Sequence, residues 1–426
     1  MDEVWQRSIL TKELDKKAVS KKGQTKEWRR MANSNLSKAK NAKNDEFYTQ
    51  WGDIERELQA YLEFDPDVFR GKTLLCPCDD PEWSNFTKFF ALHFHEYGLK
   101  KLISTSYAVE SKTYKAGYQP SLFEKNDPKF NKDKTLTHGK LFVLDRQDVN
   151  CDGKINIEDL KWDYLSGDGD FRSKEVRKLR DEADVIITNP PFSLFREFVA
   201  WIMEAQKQFL VIGSLNAITY KEVFPLIKEN KIWLGNNCKV NGGAMFYEIP
   251  EGIANLDQVR EIRTNKVGKK IYITRVQGVR WFTNLDHGRR HQPLLSMTTA
   301  DNLKFSKHKE IKGKKAYDHY DNYNAIEVPF VDAIPSDYGG VMGVPISFLD
   351  KYCPEQFEIL GVEFGFIFMS LEGAKGLSEQ FVKDYYAQGG TGSYSVNHPI
   401  LGYYQEGKAK IPFKRILIRK RKVVAK

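Results

Sequence analysis

The sequence predicts an α/β fold in which a mostly parallel sheet alternates with helices, joined to a second, α+β region. Three observations predict it. Between residues 51 and 236, short β-like runs alternate with helical patterns of about 10–15 residues, the signature of βαβ units. Beyond residue 236 the pattern changes to segments rich in glycine, tyrosine and asparagine, with isolated β-like runs. The chain has 426 residues, 41% apolar and 13% aromatic, which suffices for more than one core and rules out wholesale disorder.

Each element has its own justification. Residues 1–43 lack periodicity and read as a basic arm. A helix is expected from Trp51 to about Tyr61, where Ile54, Leu58 and Tyr61 share a face. The apolar run Lys72–Pro77 follows, then a helix opened by Ser84 as N-cap. That helix carries Phe86, Phe89, Phe90, Phe94 and Tyr97 at helical spacing, an aromatic stripe that reads as core. Strands are expected at Lys101–Ser104 and Lys140–Leu144, separated by a polar excursion over 110–138. The most regular stretch comes next: strand Asp184–Thr188, helix Ser193–Gln206, strand Phe209–Ile212, helix Tyr220–Glu229 and strand Ile232–Leu234. Later β-like runs lie at Ile271–Val276 and Phe413–Ile418. These divide the chain into a basic arm (1–43), an α/β domain (44–236) with an insertion at about 145–165, and a region over 237–426 with a basic tail.

Composition narrows the function. No run of about 18 apolar residues exists to span a bilayer, and the polar, lysine-rich start is unlike a secretory signal. Cys76, Cys78, Cys151, Cys238 and Cys353 are too scattered for a disulfide framework, so reduced thiols in a cytoplasmic protein are expected. The net charge of +9 is uneven. Residues 16–43 hold ten Lys/Arg against one acid, and residues 408–426 hold nine and none, so two basic ends flank an acidic body. That is the footprint of a polyanion binder, although solvated tails give the same pattern.

The sharpest chemical signal is Asn189-Pro190-Pro191-Phe192 after the strand Asp184–Thr188. In open α/β sheets ligands bind outside the carboxyl ends of strands, which is where these residues fall. Two prolines fix φ and leave carbonyl groups rigidly aimed. The side-chain carbonyl of Asn189 and the backbone carbonyl of Pro190 can accept from one exocyclic NH₂, and Phe192 can stack on the ring that bears it. The segment is suited to a planar amino-heterocycle.

Asn-Pro-Pro-Phe after an apolar strand resembles motif IV of the S-adenosylmethionine-dependent methyltransferases that make N6-methyladenine. Gly167-Asp168-Gly169-Asp170-Phe171 resembles the acidic-aromatic motif that contacts the cofactor's adenine. Asp45-Glu46-Phe47-Tyr48-Thr49-Gln50 resembles the Phe-Tyr-Thr-Pro motif, and Leu74-Leu-Cys76-Pro-Cys78-Asp79-Asp80 stands at the first cofactor strand and its loop. Together with Phe192–Glu197, Gly213–Tyr220, Lys231–Gly235 and Trp281–Asp286, these segments resemble the EcoRI adenine methyltransferase family from about residue 33 to the C-terminus. The resemblance implies a Rossmann-like methyltransferase sheet with helices on both faces, plus an α+β DNA-recognition region. It implies site-specific N6-methylation of a flipped adenine in duplex DNA, with a cognate restriction endonuclease, if there is one, acting independently. It assigns catalysis to Asn189, Pro190, Pro191 and Phe192. Cofactor contacts fall to Tyr48, Thr49, Cys76, Asp79, Asp80, Asp170, Phe171 and Asn189. Two departures stand out: the first loop lacks the Gly-x-Gly turn, and no acid follows the second strand in Leu102–Tyr107.

Asp148-Val-Asn150-Cys-Asp152-Gly-Lys154-Ile-Asn-Ile-Glu-Asp159 fits an EF-hand-like loop with acid or amide at positions 1, 3 and 5, glycine at 6 and an acid at 12. It is a candidate structural Ca²⁺ loop, weighed against an ordinary polar turn. For DNA, Lys38, Lys40, Lys43, Arg289, Arg290, Lys414 and Arg415 are the expected phosphate donors, with Arg275, Arg280 and Lys304 as further donors. His287 and His291 read as part of a solvated basic loop, and the tail over 414–422 as an edge strand with one basic face. A methyltransferase acting on RNA or on a protein glutamine amide, or a catalytically silent DNA-binding relative, fits some of the same residues.

Overall fold

The computed structural model describes residues 48–80, 84–108, 127–149, 151–236, 244–249, 259–264 and 270–421. The basic arm with Lys38, Lys40 and Lys43, and Asn150 of the EF-hand-like loop, lie outside them.

In chain order the strands are β1 (Tyr48–Thr49), β2 (Thr73–Pro77), β3 (Lys101–Ser106), β4 (Lys140–Leu144), β5 (Lys161–Tyr164), β6 (Val185–Thr188), β7 (Gln208–Ser214), β8 (Trp233–Leu234) and β9 (Ala244–Ile249). They continue as β10 (Val259–Thr264), β11 (Lys270–Gln277), β12 (Val279–Thr283), β13 (Ala325–Glu327), β14 (Val341–Pro345), β15 (Phe357–Val362), β16 (Tyr403–Gln405), β17 (Lys408–Lys410) and β18 (Arg415–Lys420). The helices are α1 (Trp51–Phe64), α2 (Phe86–Leu92), α3 (Lys132–Thr137), α4 (Lys174–Glu182), α5 (Phe195–Glu204), α6 (Phe224–Lys228), α7 (Thr299–Phe305), α8 (Gly365–Met369) and α9 (Glu379–Ala387).

The large sheet has the order β5-β4-β3-β2-β6-β7-β12-β8. Its centre, β3-β2-β6-β7, is parallel, and antiparallel β4 and β12 flank it. Because successive strand residues point to opposite faces, the central strands feed two cores. Leu75, Ile103, Ile186, Phe209 and Val211 pack with Val176 of α4 and Phe195, Phe198, Val199 and Ile202 of α5. Leu74, Cys76, Leu102, Val185, Ile187, Leu210 and Ile212 pack on the other face with Ile54, Leu58 and Tyr61 of α1 and with Phe86, Phe89 and Phe90 of α2. Helices therefore cover both faces, and the aromatic stripe is core: Phe94 and Tyr97 are buried too, although the helix ends at Leu92. Among the described residues, no helix is long and apolar enough to cross a membrane.

The expected boundary after residue 236 does not hold for the sheets. β12 completes the large sheet between β7 and β8, and β1 joins the small sheet β1-β9-β11-β10. Helix Tyr220–Glu229 shortens to α6, because Pro225 lacks an N–H and fits only the first turn. Helix Ser193–Gln206 divides into a 3₁₀ turn, Phe192–Leu194, and α5.

The third sheet, β13-β14-β18-β15, corrects the reading of the tail. β18 is a central strand, paired with β14 and β15. Ile416 and Ile418 enter the first core, and Leu417 packs on the opposite face with Tyr320, Phe368 and Leu401. Two of the three basic residues of β18 are neutralised within the sheet: Arg415 by Glu327 of β13, and Arg419 by Glu358 of β15.

Candidate active site

Four parallel strands bring their carboxyl ends to one rim. β6 ends at Thr188, whose hydroxyl donates to the carbonyl of Pro77 at the end of β2. This bond fixes the start of the next segment, in which Asn189, Pro191 and Phe192 are half-buried and Pro190 is buried. Pro191 caps the 3₁₀ turn, accepting from the N–H of Leu194 at 3.0 Å. Phe192 packs its inner side on the α1/α2 core. The rigidity expected of two prolines between a strand and a helix is therefore built in from both sides.

The loop after β2 makes its turn without glycine: Cys78 takes φ +62, a left-handed conformation that costs a non-glycine residue about 1 kcal/mol or more. Asp79 then donates its N–H to Thr105 at the end of β3 (2.9 Å). Its carboxylate accepts from the N–H of Thr87 at 3.0 Å and from the Thr87 hydroxyl. Burial pushes the Asp79 carboxyl up to about 6, against the hydrogen bonds from Ser84 and Thr87. Asp79 therefore ties the loop to α2. Cys76 lies deeper still. It faces the α1/α2 core fully buried, and burial raises its thiol well above the ordinary range. Asp80 is buried beside it, its carbonyl accepting from the N–H of Ser84 at 2.7 Å.

The Gly167–Phe171 loop docks on the end of β3. Ala108 donates to the carbonyl of Asp168 at 2.8 Å and Gly139 to that of Gly167 at 2.9 Å. A Cβ on Gly169, at φ +87, would stand 2.2 Å from the Ser106 carbonyl, so only glycine permits this approach. Burial raises the Asp170 carboxyl, but the bonds and charge of Arg172 outweigh it and hold it below the usual carboxylate range. Arg172 grips Asp170 at 2.9 and 2.6 Å and reaches Glu197 at 2.9 Å. The Phe171 ring is turned inward against Phe198 and Trp201, with centroids at 5.0 and 5.5 Å, so its ring serves the core and only its backbone lies on the rim. Tyr107, not singled out from sequence, joins the two loops: its hydroxyl accepts from the N–H of Phe171 at 3.4 Å, and burial with the nearby Cys78 and Asp170 pushes its phenol up. The only signal was its place one residue beyond β3.

A polar cofactor fits this rim. Thr105 and Thr49 have buried hydroxyls with no hydrogen-bond partner, one at the end of β3 and one on β1. Thr49 is held there by its carbonyl, which accepts from Asn85 at 2.7 Å. Tyr48 pairs through its backbone with Glu248 of β9.

The family model described as adenine-specific methyltransferase EcoRI matches residues 35–421. The type II methyltransferase M.EcoRI of Escherichia coli is 42% identical over 332 residues, 78% of this chain and 90% of that protein. The chain belongs to the EcoRI adenine-specific methyltransferase family. M.MpnI of Mycoplasma pneumoniae is 34% identical, covering 76% of this chain and 84% of its own length. M.MgeORF184P of Mycoplasma genitalium is 32% identical over 76% and 85%. No solved structure matches. As a member of this family the chain is a site-specific DNA adenine methyltransferase.

Within this EcoRI-family enzyme several expected DNA contacts are spent on the fold. Arg290 is buried, its guanidinium 3.5 Å over the Trp233 ring and bonded to Asn230. Arg415 is buried against Glu327, with Nε at 3.0 and 3.1 Å from the two carboxylate oxygens. Arg280 is buried and paired with Asp350 at 3.0 and 3.1 Å. His287 is also buried, edge-on to Tyr61, and burial lowers its pKa, so the loop is not solvated there. Arg280 and Arg415 stand next to apolar strand residues and Arg290 and His287 in a polar turn, and sequence alone does not reveal the inward turn. Arg289 stays exposed, and Lys414 reaches the active rim, donating to Asn216 at 2.7 Å two residues beyond β7. Arg196, at the start of α5 with its guanidinium 5.3 Å over the Tyr220 ring, is a basic rim residue that sequence reasoning missed.

Calcium finds no support. Among the described residues no three His, Cys, Asp or Glu side chains are grouped to hold a metal. Asp159, expected as the twelfth ligand, is buried and accepts from the N–H groups of Val149 (2.8 Å) and Asn156 (3.0 Å). Asp148 accepts from those of Asp152 and Gly153 at 3.2 and 2.7 Å, and Asp152 from that of Lys154 at 2.8 Å. The carboxylates thus serve to fold a tight polar turn.

Proposed function

We propose that the chain methylates N6 of an adenine turned out of duplex DNA, in the cleft at the carboxyl ends of β2, β3, β6 and β7. The observation that carries the proposal is Asn189-Pro190-Pro191-Phe192 clamped at the end of the central strand β6. S-adenosylmethionine, when bound, supplies a sulfonium methyl group open to attack by an amine nitrogen. Thr49, Thr105, the backbone at Phe171, Asp80 and Asp170 line the rim on which it would sit, with Tyr48 beside Thr49 on β1. Asn189 and Pro190 accept the two amino hydrogens of the adenine, which keeps the lone pair on nitrogen and aims it. Phe192 offers its exposed side to the purine ring. The rate gain then comes from alignment and from a dry, preorganised acceptor pair rather than from a general base. A base in the stack cannot reach this cleft, so the adenine leaves it at a cost of a few kcal/mol.

This doubly wound, Rossmann-like centre carries catalysis. The basic arm 1–43 and the residues beyond 236, apart from β12, serve DNA recognition, with Arg289 and Lys414 among the phosphate donors. Methylation would shield the recognised site from a nuclease that acts on it independently. The test is to incubate the protein with unmethylated genomic DNA and S-adenosylmethionine carrying a deuterated methyl group, then digest and analyse the nucleosides. Deuterated N6-methyladenosine is expected. Label in cytosine, or none, refutes the proposal.

A further inference from the structure

We propose that Phe413 is a wedge that enters the base stack beside the target adenine and holds the duplex open while the base occupies the Asn189 cleft. The inference rests on the proposed base-flipping function. A base that leaves the stack opens an apolar gap, and proteins that distort duplex DNA fill such gaps with phenylalanine or other apolar side chains.

Single exposed apolar residues are ordinary. Phe413 differs in its mount and its position. It is 77% exposed, two residues before central strand β18. Arg415 donates from Nη1 to the Phe413 carbonyl, and Arg415 is itself locked to the buried Glu327. Lys414 adopts φ +30, a conformation non-glycine residues rarely take, which sets the direction of the turn. The Nζ of Lys414 bonds Asn216, two residues past β7, and β7 is the immediate parallel neighbour of β6, which leads into Asn189. The phenyl ring is thus presented to solvent at the rim of the cleft by a segment tied down at both following residues.

A second ring stands at the same corner. β15 and β18 pair Val362 with Ile416, and Glu363 donates its N–H to the Arg415 carbonyl at 3.1 Å, so the two chains leave the sheet side by side. Phe366, three residues beyond Glu363, is 87% exposed. Two phenyl rings beside a lysine and next to a catalytic cleft suit a bent duplex: the lysine takes a phosphate, and one ring takes the gap.

The experiment uses duplexes carrying the site mapped by sequencing of methylated DNA, one with 2-aminopurine in place of the target adenine, whose fluorescence rises on unstacking, and one with adenine itself for the rate, since 2-aminopurine has no 6-amino group to methylate. A second pair places the target base opposite a mismatch, which lowers the cost of opening. Phe413→Ala is expected to reduce the fluorescence rise and the single-turnover rate on the matched duplex roughly ten- to a hundredfold, the range that loss of one aromatic–base stack gives. On the mismatched duplex most of the loss should vanish, and Phe413→Leu should retain much of the effect. Fluorescence and rate equal to the unaltered protein on the matched duplex would overturn the proposal. An equal loss on both duplexes would also overturn it, since Phe413 would then contribute to binding alone. Because the wedge is read from fluorescence, it is separable from catalysis: Asn189→Ala should keep the fluorescence rise while losing turnover. Absence of the rise in the unaltered protein removes wedge and base flipping together.

Discussion

Replacing Arg415 by alanine separates a structural role from a DNA contact. Arg415 and Glu327 are 8% and 2% exposed, and the guanidinium meets the carboxylate through Nε and Nη2. The variant leaves Glu327 charged and buried with the Tyr320 hydroxyl as its remaining hydrogen-bonded neighbour among these residues. Breaking a buried pair from one side costs about 3–5 kcal/mol. With an unfolding entropy of about 2.1 cal/mol/K per residue, a chain of 426 residues has roughly 0.9 kcal/mol/K, so the thermal midpoint should fall by about 3–6 °C. Fluorescence-monitored melting gives the midpoint, and anisotropy titrations of duplex DNA at several salt concentrations give the electrostatic slope. A lower midpoint is expected, with an unchanged salt slope at a temperature where the variant is folded. Glu327→Gln combined with Arg415→Met should recover part of the loss. An unchanged midpoint with a slope smaller by about 0.9 would show that Arg415 neutralises a phosphate, and would refute the structural assignment.

Glu363 should give stability a pH dependence of its own. Burial raises its carboxyl from 4.5 to about 7, so the folded state holds the proton more tightly than the unfolded chain does. Its contribution is therefore full below pH 4.5 and is lost as the pH rises to about 7. Glu363→Gln, which retains an acceptor for the Arg415 N–H, should flatten the melting midpoint across that window, and an unaltered profile would contradict the assignment. Gly169→Ala forces a Cβ to 2.2 Å from the Ser106 carbonyl. It should weaken S-adenosylmethionine binding by calorimetry at least tenfold (about 1.4 kcal/mol) while DNA affinity without cofactor stays near that of the unaltered protein. Unchanged cofactor affinity would detach the Gly167–Phe171 loop from the cofactor site.

The parallel centre of the fold was legible because strands buried on both faces and amphipathic helices announce themselves by period. Val185–Thr188, Gln208–Ser214 and the α1 and α5 faces fall where the apolar spacing puts them. The rigid segment Asn189–Phe192 was legible for a different reason: two prolines fix the backbone after a buried strand, while its role was read through the resemblance to motif IV. What sequence does not carry is the direction of a charge. Arg415 in a β-like run reads the same whether it faces water or Glu327, and only the pairing of β18 on both sides decides it. Arg290 and His287 turn inward onto Trp233 and Tyr61, residues 57 and 226 positions away, which no local pattern records. The missing Gly-x-Gly of the loop after β2 was visible in the sequence, but not that Cys78 takes the left-handed turn in its place. The EF-hand-like spacing shows the reverse hazard, since the same acids that would ligate calcium also serve a tight turn by accepting backbone N–H groups.

In the proposed mechanism Asn189 aims the amino group without being needed to bind either partner. Single-turnover methylation by Asn189→Ala, measured beside its affinities for duplex DNA and S-adenosylmethionine, tests it most directly. The expected rate is lower by about 10²–10³, as for loss of one preorganised hydrogen-bonding group in a dry site, with both affinities within a fewfold of the unaltered protein. A near-normal rate would contradict it, and so would a rate loss accounted for entirely by weaker DNA or cofactor binding.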